Sequence, residues 1–284
     1  MTAKMKRRAF ITLLGGAAAW PLAAGAQQLR PARVGALYIG LADAESFQKE
    51  LREGLRDLGY IQGQNITFEF RSAEGKLDRL PALASELVRL KVDVIVALYV
   101  PCARAAKQAT REIPIVIIAA EPIETGIVAS WARPGGNITG VALMSAPLVG
   151  KCVELFRDML SARRIAVLTN AADPLFERAD AAVIQGSLST KRMADLALEH
   201  RLPAASTTRG FVDAGGLMSY GADGPAMFRH SARFVQRILQ GRQPNDLPIE
   251  QPTKFELAVN LRTAKAMALS IPESFLLRAD ALIE

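Results

Sequence analysis

The residues best suited to covalent or metal chemistry are few in this chain. Its 284 residues include two histidines, His200 and His230, each in a helical pattern with no second metal ligand at helical spacing. Each reads as a surface histidine. Two cysteines, Cys102 and Cys152, are too few for a thiolate zinc site. Cys102 stands at a helix start, where a thiolate could be favoured, but a partly buried small hydrophobe is the simpler role. Cys152 falls on an apolar helical face and reads as core. The two lie in different halves of the chain, so no disulfide between them is expected. No G-x-G-x-x-G follows the first strand and no Walker A loop occurs, so nucleotide chemistry lacks its phosphate cradle. Neither a catalytic set nor a cofactor is expected.

Non-covalent binding remains. In open α/β sheets, ligands sit beyond the carboxyl ends of the strands. In the first half of the chain those positions are 38–40, 99–103 and 120–122. The amides around Cys102 and Ala103 open a helix and could receive a carboxylate. Glu121 could pair with an ammonium group, and Tyr38 or Tyr99 could stack on an apolar or aromatic part. Together they suggest an amino-acid-like zwitterion. The plainer alternative makes the tyrosines rim packing and Glu121 a solvated loop charge. In the second half, Asn170, Gly186, Ser187 and Arg209 occupy comparable loop ends.

Strands alternating with helices must position these groups. A chain that is 50% hydrophobic, 22% charged and 6% aromatic excludes disorder, a collagen-like fibre and a small disulfide scaffold. Residues 33–39, 66–70, 92–98, 113–119 and 138–143 read as strands. Phe47, Leu51, Leu55 and Leu58 mark one helix between them, and Leu80, Leu83, Leu87 and Leu90 mark another. Residues 102–110 read as a short helix and 125–131 as a helical turn. A second unit opens with a helix carrying Leu148, Cys152, Phe156 and Met159. Strands 165–168, 181–184 and 217–220 follow, with helices at 191–200 and around Met227 to Ile238. The tail holds a strand, a helix capped by Asn260, a break before Pro272 and a last helix. This alternation predicts parallel sheets covered on both faces. Four segments are expected: residues 1–26, a first α/β lobe at 33–144, a second at 145–246, and a C-terminal strand with helices at 247–284 packing across both.

The first segment reads as an export signal. Lys6-Arg7-Arg8 precedes the apolar run Ala9 to Leu14, and Ala24-Gly25-Ala26 offers small residues for cleavage. A Sec route and a twin-arginine route both fit, and an uncleaved anchor is the alternative. Lys4, Lys6, Arg7 and Arg8 account for four of the net +7 charges, leaving +3, which does not argue for nucleic acid.

Several segments in order carry a resemblance. They are Gly59-Tyr60-Ile61-Gln62-Gly63-Gln64-Asn65, Asp78-Arg79-Leu80-Pro81, Arg133-Pro134-Gly135-Gly136-Asn137-Ile138-Thr139-Gly140, Ala214-Gly215-Gly216-Leu217-Met218-Ser219-Tyr220-Gly221 and Gln251-Pro252-Thr253-Lys254-Phe255. With Asn260-Leu261-Arg262-Thr263-Ala264 and Leu277-Arg278-Ala279-Asp280, the chain resembles the ABC transporter substrate-binding proteins. That resemblance implies a type I periplasmic binding fold, with two Rossmann-like lobes closing on a small-molecule solute. It also implies a permease partner in the inner membrane and a periplasmic location. One departure stands out. Only the eleven residues 170–180 separate Thr169 from Ala181, where the family carries a helix, a strand and a second helix. Either an internal deletion has shortened the second lobe, or the short link is a natural variant. A compromised lobe would leave a family member without binding activity. The effector domain of a regulator, or an enzyme on the same scaffold, is the alternative function.

Overall fold

Strands buried on both faces appear in sequence as unbroken apolar runs, and β3 (Val94–Leu98) and β4 (Ile115–Ala119) are buried at every residue. The computed structural model describes residues 30–40, 44–168, 179–185 and 191–284. The expected export signal at 1–26, and Asn170, Gly186 and Ser187, lie outside the described residues.

The first sheet also contains β1 (Ala32–Tyr38), β2 (Ile66–Ser72) and β5 (Ile138–Ala142). Its order is β2-β1-β3-β4-β5, parallel throughout. Helix α1 (Ala44–Asp57) buries Phe47, Leu51 and Leu55 on one face of it. On the other lie α2 (Leu80–Arg89) and α3 (Val100–Ala109), through Leu80, Leu87, Cys102 and Ala106. The helical turn expected at 125–131 is replaced by turns at 122–126 followed by irregular chain.

Beyond Met144, a left-handed residue at φ 51°, α4 (Ser145–Leu160) starts the second unit. Its sheet runs β6 (Ile165–Leu168), β7 (Ala181–Ile184), β8 (Ala204–Ser206), β9 (Met218–Ala222), β10 (Phe255–Asn260) and β11 (Ala281–Ile283), in that spatial order. Its pairs are parallel except β9 with β10. One face buries Cys152, Leu155, Phe156 and Met159 of α4. The other takes Met193, Ala194 and Ala197 of α5 (Lys191–Glu199) and Phe211 of α6 (Arg209–Asp213). Helix α8 (Leu261–Ala266) is capped as expected, with the Asn260 side chain accepting from the Thr263 N–H at 3.0 Å. A last turn, α9 (Glu273–Leu276), buries Phe275.

One expected boundary gives way. Helix α7 (Gly224–Leu239), expected in the second lobe, packs on the first sheet, where Met227, Phe228, Phe234 and Val235 join Phe47, Leu51, Val96 and Ile118. An apolar stripe states that a helix buries a face, not which sheet receives it. The contact with α1 is close because Gly54 has no side chain; a Cβ there would lie 2.8 Å from the Arg229 carbonyl oxygen. Arg229 then binds Glu50, Glu53 and Asp57 across the seam at 2.8, 2.6 and 2.8 Å. The tail divides between the two lobes. Leu247 and Ile249 join the first-lobe cores, whereas β10, α8, α9 and β11 belong to the second unit.

Strand β6 pairs directly with β7, the short link notwithstanding. The Asp180 carboxylate accepts from the Arg163 and Arg164 backbone N–H groups at 3.1 and 2.8 Å and pairs with the Arg164 guanidinium. On the far side no strand adjoins β6 among the described residues, and Val167 is 43% exposed.

Candidate ligand-binding cleft

The chain crosses between the two sheets three times: after Leu143, before Gly224, and between Glu250 and Phe255. Glu250 is held beside β5, accepting from the Ala142 N–H at 2.9 Å and donating to the Gly140 oxygen at 3.0 Å. Its side chain meets His230 Nε2 at 2.5 Å, tying the crossing segment to the helix that carries His230.

Between the sheets lies a cavity of about 630 Å³. It opens where β3, β4, β5 and β9 end and α3, α4, α6 and α7 begin, as strand-end binding requires. Leu98, Leu143, Leu148, Met227 and Phe228 form apolar wall, while Ser46, Glu121, Thr125, Ser145, Gln185, Thr207, Thr208 and Asp213 supply polar groups.

Of the expected site residues, Tyr99, Glu121 and Arg209 line this cavity. Tyr99 stands at φ 73°, left-handed, immediately before α3. Glu121 is left-handed at φ 37°. Its carboxylate accepts from the Ala146 N–H at 2.7 Å, capping α4 from the opposite lobe, and its carbonyl accepts from the Thr125 hydroxyl at 2.8 Å. Arg209 is not a bare cation. It binds Asp213 at 2.9 Å and also pairs with Glu256. Burial opposes its charge, yet these carboxylates hold its pKa above the ordinary value.

Three expected residues lie elsewhere. Tyr38 points to the α1 face of the first sheet, edge-on to Phe47 at 5.9 Å, with its hydroxyl accepting from Gln48 at 2.7 Å. Side chains alternate along a strand, and its parity is that of Val34 and Ala36, so it joins their core. Burial raises its phenol pKa. The Cys102 side chain is fully buried, and desolvation raises its pKa, so no reactive thiolate forms. The Ala103 N–H is already spent on the Tyr99 carbonyl at 3.0 Å. Cys152 is likewise free and buried, pushed up to about 12 by desolvation.

Sequence reading missed Thr207, Thr208, Asp213, Gln185 and Phe228 on the cavity wall. The three residues of β8 and five of α6 show no periodicity to mark the loop between them. Phe228 was legible only as one of an apolar stripe, although Asp223 before Gly224-Pro225 marks a helix start at a strand end. The tight fit of β9 against this loop rests on Gly221, where a Cβ would lie 1.9 Å from the Thr207 oxygen.

Two α/β lobes enclosing a cleft at their strand ends, crossed three times by the chain, define a binding protein of the type I periplasmic class. The chain belongs to the ABC transporter substrate binding protein family, whose pattern it matches over residues 43–180 and 168–283. The two stretches overlap at the short link, so the family pattern is met in two pieces there. The chain is 26% identical over 263 residues to a tyrosine-binding protein of Clostridioides difficile, covering 78% of this chain and 76% of that one. A conserved domain protein of Vibrio cholerae superposes with a TM-score of 0.84 at 23% identity, over 89% of this chain and 100% of its own. An ABC domain from Streptococcus pneumonia in complex with L-Trp superposes at 0.81 with 20% identity and the same coverage. Proteins of the family are typically extracytoplasmic.

Proposed function

We propose that this chain is the solute-binding component of an ABC import system and takes an aromatic α-amino acid into the cleft, delivering it to a membrane permease by lobe closure. The observation that carries the reading is one cavity of about 630 Å³ combining apolar wall with a carboxylate, Glu121, at its hinge side. Such a volume suits a ligand of amino-acid size with a large side chain. The tyrosine-binding relative and the L-Trp complex support the aromatic assignment. Residues 1–26 act as a cleaved export signal in this reading, so N-terminal sequencing of the exported protein should begin at Gln27.

The direct experiment is a thermal-shift series on residues 27–284 with L-tyrosine, L-tryptophan, L-phenylalanine and L-leucine. A ligand at about 100 times its Kd stabilises by ~2.7 kcal/mol. Stabilisation by the aromatic amino acids, with L-leucine weaker, is expected. A flat response to all four, or a preference for L-leucine, overturns the aromatic assignment.

A further inference from the structure

A second concavity, of about 870 Å³, lies on the first lobe at the opposite end of its strands from the cleft, between the outer face of α3 and the loops before β5. Arg104, Lys107 and Arg111 line one wall. Their i, i+3, i+7 spacing sets them in a row roughly 10 Å long on one side of the helix. Among the described residues, no acidic side chain lines the trough. Lys107 is fixed by bonds from its ammonium to the Gly126 and Ile127 carbonyls at 2.8 and 3.0 Å. Arg104 and Arg111 are exposed and carry no ion pair among the described residues. The negative end of the α3 dipole accounts for a cation in the last turn, but not for Arg104 in the middle of the helix.

The facing wall is different. Gly126 and Gly136, both left-handed, present bare backbone, and open space lies where their side chains would project. Ile127, Val128 and Ile138 give the trough an apolar floor. Arg104 and Arg111 flank Lys107, which reaches across to the Gly126 and Ile127 carbonyls, and the row borders a glycine wall without side-chain cover over an apolar base. A compact phosphate would use one end of such a trough; an extended chain with repeated carboxylates would use all of it.

We infer that this trough is a docking surface for an acidic peptide segment of a protein partner, its carboxylates on Arg104, Lys107 and Arg111 and its backbone along the glycine wall. The site is independent of the cleft and of what the cleft holds.

The test uses residues 27–284 and a fluorescein-labelled peptide alternating glutamate with leucine and glycine, followed by anisotropy. Saturable binding is expected, weakened at least tenfold by Arg104→Gln with Arg111→Gln and left within about twofold by Arg192→Gln with Arg262→Gln, a charge-matched pair on other exposed helices. A glutamine version of the peptide should not bind. Absence of binding, equal loss in both double variants, or equal binding of the glutamine peptide overturns the proposal. Binding of phosphatidylglycerol vesicles that depends on Arg104 and Arg111, without peptide binding, replaces the partner by a membrane and overturns it too. Thermal shifts with L-tyrosine on the same variants keep any failure here separate from a failure of the cleft.

Discussion

Replacing Glu121 by glutamine separates the two roles its carboxylate can fill, hinge cap and ammonium partner. The Glu121 carboxylate accepts from the Ala146 N–H at 2.7 Å, at the N-terminus of α4. A glutamine oxygen can still accept that bond, so the substitution removes charge and keeps the acceptor. A negative charge in the first turn of a helix contributes about 0.3–1 kcal/mol. In a protein of this size that corresponds to a fall in Tm of about 1–4 °C. A ligand ammonium on the carboxylate is a charge-assisted bond, worth ~1.5–3 kcal/mol. Its loss weakens binding roughly ten- to a hundredfold. Calorimetry should therefore show Glu121→Gln raising the Kd for L-tyrosine by that factor, while the Kd for desamino-tyrosine moves less than about threefold. Glu121→Ala, which also removes the acceptor, should cost the ligand-free protein a further ~0.5–2 kcal/mol. Equal weakening of both ligands refutes ammonium pairing and leaves the side chain as a hinge cap alone.

Asp180 should make the β6–β7 junction acid-sensitive. The Arg164 side chain, then the Arg164 and Arg163 backbone N–H groups, lower its pKa from the ordinary 3.8, so its stabilising contribution is full above that value and is lost as pH falls through the lowered one. Asp180→Asn should destabilise at neutral pH and matter progressively less below about pH 3.8, read by denaturant melts across pH. Gly221→Ala should push back the Thr207 backbone, costing ~1–3 kcal/mol and weakening cleft binding. By contrast, Gly150→Ala, in α4 with open space around it, should stabilise by ~0.5–1 kcal/mol and leave binding unchanged. Hydrogen exchange should show slower amides in Val94–Leu98 than in Ile165–Leu168.

The doubly covered strands were legible because burial on both faces writes an unbroken apolar run, as in Val94–Leu98 and Ile115–Ala119. Helix α1 was legible through Phe47, Leu51 and Leu55. The partner sheet of α7 was not, since its stripe would suit either lobe. Short elements also escaped: β8, α6 and β11 are too brief to repeat a period. Strand ends pointed to loops that line the cavity, and then direction decided. Tyr38 turns to the core of α1, whereas Tyr99, after the fully buried β3, reaches the cavity through a left-handed backbone. That conformation belongs to no residue type other than glycine by preference, so nothing in the letter Tyr announced it.

The two lobes can be compared within this one chain, and the comparison locates the weakness. From β1 to its neighbour β3 the first lobe travels through α1, β2 and α2, and β2 covers the outer edge of β1. From β6 to its neighbour β7 the chain spends only residues 169–180, and among the described residues β6 ends the sheet. Strand β6 thus holds the place of β1 with no strand in the place of β2 among the described residues. The cost can be read from side chains in matching positions: Val34 and Ala36 of β1 are fully buried, while Ile165 is only partly buried and Val167 is 43% exposed. Each aliphatic side chain left half in water forfeits part of the ~1.5–3 kcal/mol that full burial contributes. Against a domain stability of ~5–15 kcal/mol, one edge strand is tolerable where the remaining core is whole. Here α4 and α5 still cover both faces of the second sheet, through Phe156 and Met159 on one and Met193 and Ala197 on the other. The cavity wall of that lobe comes from Gln185 just past β7, from Thr207, Thr208 and Asp213, and from Ala222 of β9, not from β6. The shortened lobe therefore loses protection at β6 first, and the cleft persists until β7 and β8 open with it.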